Sequence, residues 1–409
     1  MLKLLNTLAA LLLSIVAVFI TLKLKLHVSI AIFVGAIVLA VLSSINLNEL
    51  LLLLLKTSLS IETWRLVIII SSAIGLGVAM DLKGLLGKLA ETLENIGTRT
   101  ALYIAPALIG LVPMPAGAVV SASMVKDIAR KTNLTPEEAA FLNYWFRHII
   151  EYSWPIYQGI ILTGIVFSIS IVDTVKTLCP MTAINALIGL AISYYIFKKK
   201  PLKKKFIVKK NSSLKQILEK FTYSTWPIFL IIALILVLKI DASIAFPTSL
   251  IMLIITGDFK AGDVTKILRK ALDPKIVFLP IATMFYKAIV EYTNLAYQIF
   301  DLLLESRIPE YFILSILPFI VGFTTGISFA FVGITFPLLV PIIGQGSIDS
   351  GALILSYVSG MAGVLLSPMH LCLVLSIDYF GAKLPETYNL VLFAVLASMV
   401  SAFTIYLSL

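Results

Sequence analysis

The stretch NYWFRHIIEYSWP places Arg147, His148 and Glu151 inside a strongly apolar part of the chain. On a helix Tyr144, His148, Glu151 and Pro155 share one face, with Arg147 beside it and four residues from Glu151. A planar guanidinium matches a carboxylate, and a glutamate or histidine can carry a proton, so this face could receive an anion together with a coupling proton. Arg147 and Glu151 could equally neutralise one another as an architectural pair. A second pair at the same spacing, Lys287 and Glu291 in MFYKAIVEYTN, lies on a helix equivalent to residues 66–80 of the first half rather than on a broken one, which favours a structural or interface role. His370 in LLSPMHL follows the break at Pro368 by two residues, so it reads either as a core histidine or as part of a site. Cys179 and Cys372 are far apart, without metal or redox spacing, and read as packing residues; no metal or cofactor is expected.

What holds these groups is a membrane. Of 409 residues 59% are hydrophobic and 13% charged, with a mean hydropathy of +1.03; ordinary soluble domains do not reach such values. Apolar runs of spanning length recur from Leu4–Leu22 to Leu390–Leu407. The first is too long for a signal peptide core and lacks a cleavage site, so it is expected to be a membrane helix. The net charge of +10 does not point to nucleic acid, because residues 198–220 form a basic loop that reads as the cytoplasmic side of a membrane protein.

Four breaks interrupt the apolar runs. GLVPMPAGA, residues 110–118, holds Pro113, Met114, Pro115, Ala116 and Gly117 at the centre of a segment whose arms are too short to cross. GFTTGISFAFVG, residues 322–333, is its counterpart and adds Thr324, Thr325, Gly326 and Ser328. The other two are EYSWPIY, with Trp154, Pro155 and Tyr157, and LLSPMHL, with Ser367 and Pro368. Backbone broken at membrane depth is tolerated where it lines a cavity or is buried in protein, and its freed groups can bind substrate or ions. These residues, with Asn143, are the expected substrate contacts; His148, Glu151 and His370 are the expected proton carriers, and Lys287 and Glu291 secondary candidates.

The breaks also pair across the chain. Tyr144 recurs as Tyr357, Pro155 as Pro368, Pro106 as Pro318 and Gly110 as Gly322, shifts of 212 or 213. Two repeats, about 1–200 and 215–409, follow, each with five crossings and one re-entrant hairpin. The crossings are expected near 4–22, 27–44, 63–80, 138–170 and 178–197, then near 221–239, 241–256, 274–295, 350–378 and 387–409, with hairpins at 100–125 and 311–341. An odd number of crossings inverts the second repeat, and the Lys and Arg distribution then puts both termini outside. Segment 81–97 is amphipathic and reads as an interfacial connecting arm or as a surface helix.

GLVPMPAGAVVSASMV, NYWFRHIIEYSWPIYQGIIL, FVGITFPLL and GVLLSPMHLCLVLSIDYF together resemble an integral-membrane family catalogued as domain of unknown function 401, which looks like a branch of the ion transporter superfamily of citrate, dicarboxylate and gluconate carriers. That resemblance implies an all-α polytopic membrane protein and a homodimer. It also implies an elevator in which 100–197 and 311–409 move against scaffold helices in 1–99 and 221–310. The Ser-Asn-Thr signatures that bind sodium in dicarboxylate carriers do not occur at either hairpin. The expectation is therefore a plasma-membrane secondary transporter of a small organic anion, a carboxylate, coupled to protons rather than sodium. The chain carries no Gly-x-Ser-x-Gly, His-Glu-x-x-His or nucleotide motif that would suggest an enzyme, and breaks in two repeats suit alternating access better than a channel.

Overall fold

A computed structural model of the chain describes residues 2–85, 88, 98–111, 117–198, 214–306 and 308–409, and every regular element among them is helical. The first half comprises α1 (Leu2–Lys23), α2 (Val28–Leu42), α3 (Leu47–Leu59), α4 (Ile61–Leu82), α5 (Thr98–Gly110), α6 (Gly117–Lys131), α7 (Pro136–His148), α8 (Gln158–Val166) and α9 (Ile171–Lys198). The second comprises α10 (Leu214–Ile232), α11 (Ala242–Thr256), α12 (Ala261–Ala271), α13 (Pro274–Tyr292), α14 (Leu295–Ser306), α15 (Glu310–Thr325), α16 (Ser328–Ile343), α17 (Ser350–Leu366), α18 (Leu371–Phe380) and α19 (Leu384–Ser408).

The element order recurs between the halves. Helix α2 begins at Val28 and α11 at Ala242, α4 at Ile61 and α13 at Pro274, α5 at Thr98 and α15 at Glu310, and α9 at Ile171 and α19 at Leu384, shifts of 212 to 214. Among the described residues, Ile61–Leu82, Ile171–Lys198, Ser350–Phe380 and Leu384–Ser408 are long and apolar enough to cross a membrane. The expected long helices 138–170 and 350–378 are each interrupted: a 3-10 turn at Ile149–Tyr152 and an irregular stretch separate α7 from α8, and Ser367 to His370 separate α17 from α18.

Three short helices are additions to the sequence reading. Helix α3 is capped by Asn46 and Glu49 in a reciprocal capping box, and at 13 residues spans about 20 Å, short of the roughly 30 Å of a hydrocarbon core. Helix α12 is the matching element of the second half, and α14 follows α13 as the amphipathic segment 81–97 follows α4; most of that segment lies outside the described residues. Helices α15 and α16, of 16 residues each, reverse at Gly326 and Ile327. Gly326 sits at φ 67° with its face against the His370 backbone, a conformation and a closeness that exclude a side chain. The reversal between α5 and α6, residues 112–116, lies outside the described residues.

Small residues set how closely the broken helices approach the reversals. A Cβ on Gly110 would overlap the carbonyl of Arg147 on α7, and a Cβ on Gly322 would overlap the carbonyl of Gly360 on α17. Positions 110 and 322, and 147 and 360, are equivalent by shifts of 212 and 213, so one backbone-to-backbone contact is built twice. Helix α8 packs on α16, and α18 packs on α6 and α7, so each half closes around an element of the other.

Replacing Gly322 with Ala is expected to cost about 1–3 kcal/mol through overpacking, measured as a fall in the thermal unfolding midpoint in detergent. Gly262→Ala, where an added Cβ meets nothing within 4 Å on helix α12, should hold or raise the midpoint.

Candidate functional site

Helix α7 starts with Pro136 behind a Thr135–Glu138 capping box and is buried continuously from Ala139 to His148. It cannot run through Pro155, which lacks an amide and disfavours helical backbone at Trp154. The second break is built alike: α17 is buried from Gly351 to Leu366, then Ser367 accepts a hydrogen bond from Met369 N at 3.1 Å and Pro368 ends the helix.

Each break leaves carbonyls without helical partners, and they are satisfied reciprocally. The Tyr144 hydroxyl donates to Leu365 O at 3.0 Å, at the second break. The Tyr357 hydroxyl donates to Glu151 O at 3.0 Å, at the first. Both breaks also hold the neighbouring helix ends: Tyr157 Oη donates to Gly110 O at 2.5 Å and Trp154 Nε1 to Leu111 O at 3.0 Å, while His370 Nδ1 bonds Gly326 O at 2.7 Å. Tyr144 and Tyr357, and Tyr157 and His370, are repeat equivalents, so two sets of paired bonds bind the breaks into one centre.

That centre is charged and buried. Arg147, His148 and Glu151 are 2%, 1% and 8% exposed. His148 Nδ1 lies 2.6 Å from Tyr144 O, its Nε2 2.9 Å from His370 Nε2, and the same Nε2 3.8 Å from Glu151 Oε1. Cys372, the second residue of α18, joins them: ligand atoms of His148, His370 and Cys372 all lie within 4.8 Å of one another. Cys372 is therefore a member of the centre rather than the packing residue its spacing suggests, and Cys179 is exposed rather than packed.

The other expected contacts divide. Asn143 is fully buried, donating to Ala118 O and Ser376 Oγ at 3.0 Å each, and its Oδ1 has no hydrogen-bond partner among the described residues. Ser328 opens α16 beside Gly159, and Gly117 opens α6. Thr324 and Thr325 turn their hydroxyls back onto Val321 O, at 3.1 and 2.7 Å, and so cap their own helix. Pro155 and Ser367 are buried, and Pro368 is exposed. Pro113, Met114, Pro115 and Ala116 lie outside the described residues. Lys287 and Glu291 form an ion pair at 3.6 Å on α13, with the Glu291 side chain 57% exposed, apart from the histidine cluster.

One cavity was not legible in the sequence. A cleft of about 660 Å³ runs between α4 on one side and α8 and the start of α9 on the other. Its walls include Ile69 and Ile161 and its mouth Asp173 and Lys176, beside an ion pair between Arg65 and Asp241 that joins α4 to the start of α11.

A family model described as protein of unknown function (DUF401) matches residues 5–408, and the chain belongs to that family. No curated protein matches the sequence. Among solved structures the fold is similar to that of the Alcanivorax borkumensis YdaH transporter, described as having an unusual topology, with a TM-score of 0.59 at 15% identity over 88% of each chain. Helices of spanning length in a fold of this kind make the chain a membrane protein.

Tyr357→Phe is expected to leave the Glu151 carbonyl unsatisfied and to lower stability by about 1–3 kcal/mol. Chemical denaturation in detergent would register it, with a similar loss for Tyr144→Phe at the opposite break.

Proposed function

We propose that this protein is a secondary active transporter of a small organic anion, a carboxylate, working by alternating access. The observation that carries the reading is a buried guanidinium, with a carboxylate and two imidazoles, at the one place where both interrupted helices meet. Ionisable groups at membrane depth usually face a substrate pathway, and half-helix ends there supply partial charges to a bound ion. Arg147 receives the carboxylate in bidentate fashion. The buried Asn143 oxygen offers an acceptor for a substrate hydroxyl or amide hydrogen. Ser328, Ser367 and the backbone around Pro155 and Pro368 complete the contacts.

The recurring element order supports two inverted-topology repeats, with α5–α6 and α15–α16 as re-entrant hairpins. In this reading α5–α9 and α15–α19, interlocked through the paired tyrosines, move as one elevator body against α1–α4 and α10–α14. The cleft between α4 and α8–α9 is then the aqueous approach along which the two bodies slide. With residues 198–220 cytoplasmic in the plasma membrane and both termini external, the cleft opens outward. We assign the protein as a homodimer coupled to protons, because the sodium-binding signatures are missing from both hairpins; sodium coupling within the same fold is the alternative.

In proteoliposomes, Arg147→Gln is expected to lower carboxylate uptake at least about 30-fold, the equivalent of about 2 kcal/mol for a lost charge-assisted contact. Full uptake by that variant would remove Arg147 from the binding role. Uptake driven by an imposed pH gradient in sodium-free buffer is the companion expectation, and a requirement for sodium would reverse the coupling assignment.

A further inference from the structure

His148 and His370 are held in an unusual relation. Each Nδ1 faces a backbone carbonyl, Tyr144 O at 2.6 Å and Gly326 O at 2.7 Å. A carbonyl only accepts, so both Nδ1 atoms carry the hydrogen, and a neutral imidazole has just one. Both Nε2 atoms therefore present lone pairs to each other, 2.9 Å apart. Two acceptors at that distance repel unless a cation lies between them.

A proton would answer the lone pairs but leave the third member unexplained. Cys372 brings its sulfur to within 4.8 Å of a ring nitrogen of each histidine, and Glu151 Oε1 stands 3.8 Å from His148 Nε2. Two imidazoles, a thiol and a nearby carboxylate are a soft transition-metal donor set. The carbonyls on the two Nδ1 atoms are the outer contacts that orient metal-bound histidines. Donor atoms around a tetrahedral ion stand roughly 3.3–3.6 Å apart, given metal–nitrogen and metal–sulfur bonds of about 2.0 and 2.3 Å, so the histidine pair needs to open by only a few tenths of an ångström. The Cys372 thiolate and Glu151 carboxylate would offset the two charges of a divalent ion.

We propose that His148, His370 and Cys372 bind one soft transition-metal ion, of which Zn²⁺ is the type, with Glu151 or water in the fourth position. The ion would tie the end of α7 to the start of α18, joining the two breaks. This site stands on its own geometry and does not require the transport reading.

The test uses the full-length protein in detergent, stripped with chelator and titrated with Zn²⁺, with Co²⁺ as the spectroscopic probe. One Zn²⁺ per chain and a thiolate-to-Co²⁺ charge-transfer band are expected. Alkylation of Cys372 should slow at least about 10-fold with Zn²⁺, while the exposed Cys179 keeps its rate and serves as internal control. His370→Gln and Cys372→Ser should each lower affinity at least about 100-fold, the upper end for outer-contact changes, whereas His27→Gln, distant in sequence, should not. The alkylation experiment needs no variant, so it decides the matter even where a substitution prevents folding. Zn²⁺ that leaves Cys372 labelling unchanged, or Co²⁺ bound without a thiolate band, would overturn the proposal and make the cation between the histidines a proton.

Discussion

An interrupted helix inside a bilayer has no water to satisfy the backbone groups it frees, and the rest of this structure follows from how that demand is met. Here the donors come from the opposite half of the chain: Tyr144 reaches the second break and Tyr357 the first. Each unsatisfied buried carbonyl would cost about 1–3 kcal/mol, so neither interruption is sustainable alone. The breaks are stable because they are adjacent.

Adjacency then dictates what surrounds them. The helices must approach at backbone contact, which is why Gly110 and Gly322 face the carbonyls of Arg147 and Gly360. Tyr157 and His370, at equivalent positions, diverge in chemistry while keeping one task, a hydrogen bond to a neighbouring helix end. That divergence makes the centre asymmetric: the first half supplies a guanidinium and a carboxylate, and the second adds an imidazole and a thiol to the histidine of the first. An architecture that repeats thus carries a cluster that does not, which suits the polar, directional anion proposed for it.

Much of this was legible in the sequence because Pro and Gly in apolar runs have few explanations, and ionisable residues there have fewer. His148 and Glu151 could be placed on one face, with Arg147 beside it, from their spacing, and His370 was marked by Pro368. Cys372 was missed because cysteine patterns inform through local spacing, and its partner His148 lies 224 positions away, from 148 to 372. Helices α3, α12 and α14 were missed because at 11 to 13 residues they are too short to cross, and a search for spanning runs passes over them. Thr324 and Thr325 looked like ligands by type, yet a hydroxyl one turn from its own carbonyls bonds back to them. The cleft beside α4 was invisible for another reason: cavities lie between elements, and no residue pattern records a space.

The central claim is that both interrupted helices serve one anion site at Arg147. The most direct test is an experimental density map of the protein in lipid nanodiscs, saturated with a carboxylate that raises its thermal stability. The account requires the carboxylate on the Arg147 guanidinium, in contact with groups from both breaks. A ligand seated instead in the cleft beside Arg65 and Lys176, with the centre at Arg147 closed to it, would contradict the account.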